Sequence, residues 1–238
     1  MKKINNLKIK IFADGADLLK IKKLNNKNYI SGFTTNPSLM KSSNVKDYKV
    51  FSKKLLKIVK HKPISFEVTS DNIYEMEMQA YMINSWAKNI FIKIPFTNSK
   101  GKKNLKLIKK LSDNGVKLNI TALFTYKQVL QVYKVLNKSY EAYLSIFAGR
   151  IADTGIDPSF IINQSVKLVK KNKKIKTLWA SCREVYSIFH ADKLKCDIIT
   201  VPYSILSKFN LIGKNLDQYS IETSKDFFKD SKDIKFKL

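Results

Sequence analysis

Ile90-Phe91-Ile92-Lys93-Ile94-Pro95 is a six-residue apolar run with a single cation at its centre. Its apolar positions are continuous rather than alternating, as expected of a strand buried on both faces, and parallel sheets covered by helices are built from such strands. Seven further runs of similar character lie at 9–13, 29–33, 64–69, 117–122, 142–147, 176–180 and 197–201. Amphipathic stretches separate them, among them 45–59, 72–87, 101–114 and 158–171. In the third of these, Leu105, Ile108 and Leu111 share one face with lysines opposite, and Gly115 supplies a helix stop. Eight strands alternating with helices predict an α/β fold, a (β/α)8 TIM barrel. The chain reads as a single domain over 1–238, with C-terminal closing helices from about residue 203 and a polar end from Lys229 expected to fray. A doubly wound open sheet is the competing architecture, but no G-x-G-x-x-G or G-x-x-x-x-G-K-[ST] loop supports it.

Composition narrows the partners. The 238 residues are 44% hydrophobic, enough for a sizeable core, and no apolar run reaches the length of a membrane-spanning helix. The first ten residues interrupt their apolar positions with lysine and asparagine, unlike a secretory signal. Cys182 and Cys196 have no metal or redox spacing, so free thiols in a reducing cytoplasm are expected. The net charge of +26 would suit a nucleic-acid binder. The lysines are nevertheless spread along the whole chain, with no basic arm and no aromatic-basic motif, which reads as compositional background. No nucleic-acid partner is therefore expected. Of 45 basic residues only Arg150 and Arg183 are arginine. A chain that favours lysine keeps arginine where a planar, bidentate contact to phosphate or carboxylate is needed, or at a structural ion pair.

In a barrel of this kind the carboxyl ends of the strands carry the chemistry. Read in order, they offer Asp14, then Thr34-Thr35-Asn36-Pro37-Ser38, then Glu67 and Lys93. Strand five follows with Asn119 and Thr121, strand six with Ser145, Phe147 and Arg150, and strand seven with Ser181 and Arg183. Strand eight ends at Pro202 without an obviously reactive group. An ammonium inside an apolar strand is unfavourable unless it has a use. Desolvation favours the neutral amine, the form that attacks a carbonyl. The structural alternative is a lysine paired with Glu67 or Asp14 to lock the barrel. Asp14 and Glu67 suit proton transfer around an imine, yet each also reads as a helix cap or ion-pair partner. Thr34, Asn36 and Asn119 can hold sugar hydroxyls, or serve turn-to-helix chemistry. Thr121 and Ser145 fit water positioning or backbone bonding. Arg150, Ser181 and Arg183 form a candidate phosphate clamp. Cys182, His61 and His190 read as packing or surface residues, and no metal spacing appears.

Several segments resemble the transaldolases and the related fructose-6-phosphate aldolases. They are Phe12-Ala-Asp-Gly-Ala-Asp17, Ser31-Gly-Phe-Thr-Thr-Asn-Pro-Ser38, Phe91-Ile-Lys-Ile-Pro95, Asn119-Ile-Thr-Ala-Leu-Phe124, Ser145-Ile-Phe-Ala-Gly-Arg-Ile-Ala-Asp153 and Ala180-Ser-Cys-Arg183. The resemblance implies a barrel with a metal-free, cofactor-free imine mechanism and sugar-phosphate substrates. It assigns Lys93 as the Schiff-base lysine and Asp14 as the handler of the hydroxyl proton at the cleaved bond. Glu67 and Thr121 match the water-activating pair. Asn36, Asn119 and Ser145, with Thr34 nearby, match the dihydroxyacetone site, and Arg150, Ser181 and Arg183 match the phosphate site. Glu67 and Phe147, where the aldolase branch has glutamine and tyrosine, favour transfer over release of free dihydroxyacetone. Gly15 and Cys182 depart from the family pattern, which has threonine or serine and an aromatic there. A cytoplasmic homo-oligomer is expected.

Overall fold

Eight parallel strands close into one barrel in sequence order: β1 (Lys10–Asp14), β2 (Ile30–Thr34), β3 (Ile64–Glu67), β4 (Ile90–Pro95), β5 (Leu118–Leu123), β6 (Ala142–Ile146), β7 (Ile175–Trp179) and β8 (Ile198–Pro202). The computed structural model describes residues 4–234. Side-chain caps begin several of the surrounding helices. Asp17 accepts from the amides of Leu19 and Lys20 to start Leu18–Asn25, and Asp47 and Asn72 do the same for Tyr48–Ile58 and Ile73–Asn84. Thr125 and Gln128 form a reciprocal capping box at Tyr126–Val135. The barrel and the single domain thus agree with the sequence pattern, while element ends move by up to four residues, as where the helix expected from 101 starts at Leu105. β1 runs on to Asp14, β3 stops at Glu67, and β6 stops at Ile146 because Phe147 turns into helix Ala148–Ala152.

The alternation of each strand sorts its side chains into two cores. Ile64, Phe66, Ile92, Ile94 and Ile120 point outward and are fully buried beneath the helices. Phe12, Phe91, Tyr143, Leu178, Ala180 and Ile198 point inward and fill the barrel. Phe91 stacks on Tyr143 with ring centroids 4.0 Å apart at 13°, and Phe12 meets the same tyrosine edge-on at 5.9 Å and 73°. Gly32 makes room for this plug, since a Cβ there would sit 2.6 Å from the Phe12 ring. The plug forms a floor, and the polar residues of the strand ends stand on it.

After β8 come a short helix, Tyr203–Leu206, a 3-10 turn, Ser207–Leu211, and the long helix Leu216–Ile234. The helix continues past Lys229 to Ile234, so the expected fraying does not begin there; residues 235–238, like residues 1–3 of the N-terminal stretch, lie outside the described residues. Among the described residues no helix is long and apolar enough to cross a membrane. Cys182 and Cys196 are both buried, and burial pushes each thiol up to about 11.

Candidate functional site

Strand register brings the central residues together. Glu67 lies opposite Lys93, and Lys93 opposite Asn119, across β3, β4 and β5. Lys93 is 7% exposed; its Nζ donates to the Thr35 carbonyl at 2.9 Å and lies 2.9 Å from Glu67 Oε2. The sequence therefore anticipated the Lys93–Glu67 pairing, which is compatible with a structural lock and with proton exchange between the two groups. Beside them Ser145 Oγ donates to Asn119 Oδ1 at 2.6 Å, and Asn119 Nδ2 donates to Ser65 Oγ at 3.0 Å. All three are buried. Ser65 carries no signal in the sequence beyond standing two residues before Glu67 on the same strand face.

Asp14 lies on the neighbouring side of the mouth, opposite Thr34 of β2 and Pro202 of β8. Thr34 Oγ1 donates to Asp14 Oδ1 at 2.7 Å, and Thr200 Oγ1 lies 2.5 Å from the same threonine hydroxyl. Burial raises the Asp14 carboxyl above its ordinary range, although the Lys93 charge and the Thr34 hydrogen bond pull the other way. The helix-cap reading of Asp14 does not hold, because the cap belongs to Asp17. Strand eight, read as unreactive, contributes Thr200. Asn36 does cap a helix: its Oδ1 accepts from the Leu39 amide at 2.9 Å at the start of Pro37–Ser42.

Thr121 is buried on β5, opposite Pro95. The next residue, Ala122, is left-handed with φ 57, and the β5–β6 register slips between Ile120 and Leu123. Such a bulge redirects the strand end where Thr121 stands. On the far side, the turn after β7 presses against helix Ala148–Ala152. A Cβ on Gly149 would fall 1.6 Å from the Ser181 carbonyl oxygen and 3.1 Å from Arg183 Cγ. Ser181 is itself left-handed, φ 62. This close approach places Ser181 and Arg183 against the turn of helix that carries Arg150. The Arg150 guanidinium lies over the Phe147 ring, 5.5 Å from its centroid. Arg183 is bidentate to Asp153: Nε donates to Oδ1 at 3.1 Å and Nη2 to Oδ2. It remains half-exposed, and Asp153 is a partner that sequence reasoning did not single out. His190 stands apart, bonded to Ser159 at 2.9 Å and packed on Trp179.

The family model described as Transaldolase/Fructose-6-phosphate aldolase matches residues 11–238. The chain belongs to this family. Among members that it resembles, a protein named probable transaldolase from Thermoplasma volcanium is 34% identical, with 96% of this chain and 99% of that one covered. Probable transaldolases from Dehalococcoides mccartyi and Methanococcus maripaludis are 33% and 31% identical, covering 83% and 91% of this chain and 88% and 100% of theirs. Solved structures with a similar fold include KGPDC from Streptococcus mutans, at TM-score 0.54 and 8% identity over 83% of this chain and 89% of that one. A mutant flavocytochrome b2 with benzoylformate gives TM-score 0.55 and 9% identity over 82% and 57%. At such identities the likeness extends to the barrel alone. Within the transaldolase/fructose-6-phosphate aldolase family, the chain thus combines a buried lysine, two carboxylates and two arginines at one end of the barrel.

Proposed function

We propose that the protein is a transaldolase, moving a dihydroxyacetone unit from a ketose phosphate, fructose 6-phosphate or sedoheptulose 7-phosphate, to an aldose phosphate. The observation that carries this reading is Lys93 Nζ in direct contact with Glu67 Oε2 in a buried site whose rim holds both arginines of the chain. Lys93 passes a proton to Glu67 and adds to the ketone carbon, and loss of water gives the imine. Thr121 and Glu67 hold that water on its way in and out. Asp14 takes the proton of the neighbouring carbinol as the adjacent carbon–carbon bond breaks. The bonding pair moves into the imine to form an enamine, and an aldose phosphate leaves. The acceptor aldehyde bonds to the enamine carbon, its oxygen recovers the proton from Asp14, and water returns Lys93 to the free amine. Asn119 and Ser145, joined by their own hydrogen bond, face the three-carbon unit, with Asn36 and Thr34 at its edge. Arg150, Ser181 and Arg183 bind the phosphate.

Phe147 supports transfer over release. It has no hydroxyl with which to protonate the enamine, and its ring lies beneath Arg150 instead. Borohydride trapping with fructose 6-phosphate tests the proposal. A reduced three-carbon adduct on Lys93, absent from Lys93→Ala, and turnover that requires erythrose 4-phosphate are expected. An active Lys93→Ala variant would refute it. Turnover without an acceptor would assign an aldolase that releases dihydroxyacetone.

A further inference from the structure

Thr200 is an unusual residue for its position. It lies on β8 opposite Phe12, is 6% exposed, and follows Ile198 and Ile199 in a strand that otherwise packs apolar side chains. Valine would fill the same volume without a hydroxyl to satisfy, and an unpaired buried hydroxyl is unfavourable. The hydroxyl instead reaches across β1 to Thr34 Oγ1, 2.5 Å away.

Counting protons fixes the direction of that bond. Thr34 has one hydroxyl proton, and it is directed at Asp14 Oδ1, 2.7 Å distant. While Asp14 is a carboxylate, the bond between the two threonines therefore needs the proton of Thr200. The order is Thr200 to Thr34 to Asp14, and a hydroxyl that accepts one hydrogen bond becomes a better donor in the next. We infer that Thr200 is a positioning residue for Asp14, pinning the Thr34 proton on Oδ1 so that Oδ2 is the oxygen that exchanges a proton with substrate. This inference rests on the transaldolase reading above. Thr200 touches no reacting atom and acts through Thr34. The other charged groups acting on Asp14 are Lys93, which favours its carboxylate form, and Glu67, which opposes it.

The test compares Thr200→Val, Thr200→Ala and Thr200→Ser in the full chain, using fructose 6-phosphate and erythrose 4-phosphate. Thr200→Val and Thr200→Ala should lower kcat about tenfold with KM changed less than about twofold. The acid limb of their kcat–pH profile should move upward by about half a pH unit, because the carboxylate has lost support. Thr200→Ser, which keeps the hydroxyl, should return close to wild type. Wild-type kcat in Thr200→Val would overturn the inference. So would a loss with an unmoved acid limb that serine fails to restore, since that outcome describes packing alone. Absence of transfer by the wild type would refute the transaldolase reading instead, so the two failures are separable.

Discussion

Replacing Gly149 by alanine tests the proposed phosphate end of the site with a single methyl group. That methyl carbon would lie 1.6 Å from the Ser181 carbonyl oxygen, against a normal carbon–oxygen contact of about 3.3 Å. Either helix Ala148–Ala152 or the Ser181–Arg183 turn must therefore retreat by well over ~1 Å. Ser181 is already left-handed and followed by buried Cys182, so the shift passes to Arg183, whose Cγ is 3.1 Å from the same point. Alanine has the better helix propensity by ~1 kcal/mol, but overpacking costs about 1–3 kcal/mol or more where backbone must move, so the steric term wins, and circular dichroism checks that the variant is folded before its kinetics are compared. A displacement of about 1 Å in a positioning group can lower the rate about a hundredfold. We therefore expect kcat/KM for fructose 6-phosphate to fall about a hundredfold, equivalent to ~2.7 kcal/mol. Borohydride capture of unphosphorylated dihydroxyacetone on Lys93 should change less than about threefold, because the proposed imine site on β4 is untouched. Steady-state kinetics and mass spectrometry of the trapped protein provide the two readouts. Unchanged phosphate-ester kinetics, or an equal loss in both measurements, would refute the assignment of Ser181 and Arg183 to phosphate.

Two further predictions concern the chemistry at the centre. Phe147→Tyr introduces a phenol into the site and should raise acceptor-independent release of dihydroxyacetone from fructose 6-phosphate at the expense of transfer; a product ratio equal to wild type would exclude Phe147 as the residue that protects the enamine. Asp14→Asn should abolish turnover yet stabilise the fold at neutral pH, since burial raises the native carboxyl above its ordinary value. A raised carboxylate loses stability as pH rises from its unfolded value through its folded one, so the melting advantage of asparagine should grow with rising pH and shrink as pH falls towards the ordinary carboxylate range. An advantage independent of pH would argue against this origin.

Much of the barrel is legible because parallel strands under helices must be apolar on both faces. Runs such as Ile90–Pro95 therefore stand out from the lysine-rich helices around them. The charged members of the site were visible for the same reason: Lys93 and Glu67 are exceptions within apolar strands, and the two arginines are exceptions within a lysine-rich chain. What escaped was chemistry carried by residues that look ordinary. Thr200 reads as a β-branched strand former, Ser65 as a small filler, and their roles depend on partners 166 and 54 residues away. Nothing marks Ala122 as left-handed, because the bulge follows from how β5 meets β6 rather than from local preference. The Asp14 and Asp17 roles could not be separated either, since both carboxylates precede one helix and only the register of β1 with β2 decides which faces the mouth.

The aromatic floor of Phe12, Phe91 and Tyr143 has a consequence for how the sequence can drift. Lys117 belongs to the opposite mouth, with its Nζ 5.6 Å from the Phe91 ring centroid and 3.2 Å from Glu141. A slab of stacked rings therefore lies between Lys117 and the polar groups of the other mouth and keeps them out of contact. Lysines can accumulate at the amino-end mouth and over the outer helices without gaining direct contact with Asp14, Glu67 and Lys93. In a chain with a net charge of +26, the aromatic layer thus leaves the proposed site with a single buried ammonium, Lys93, beside Glu67.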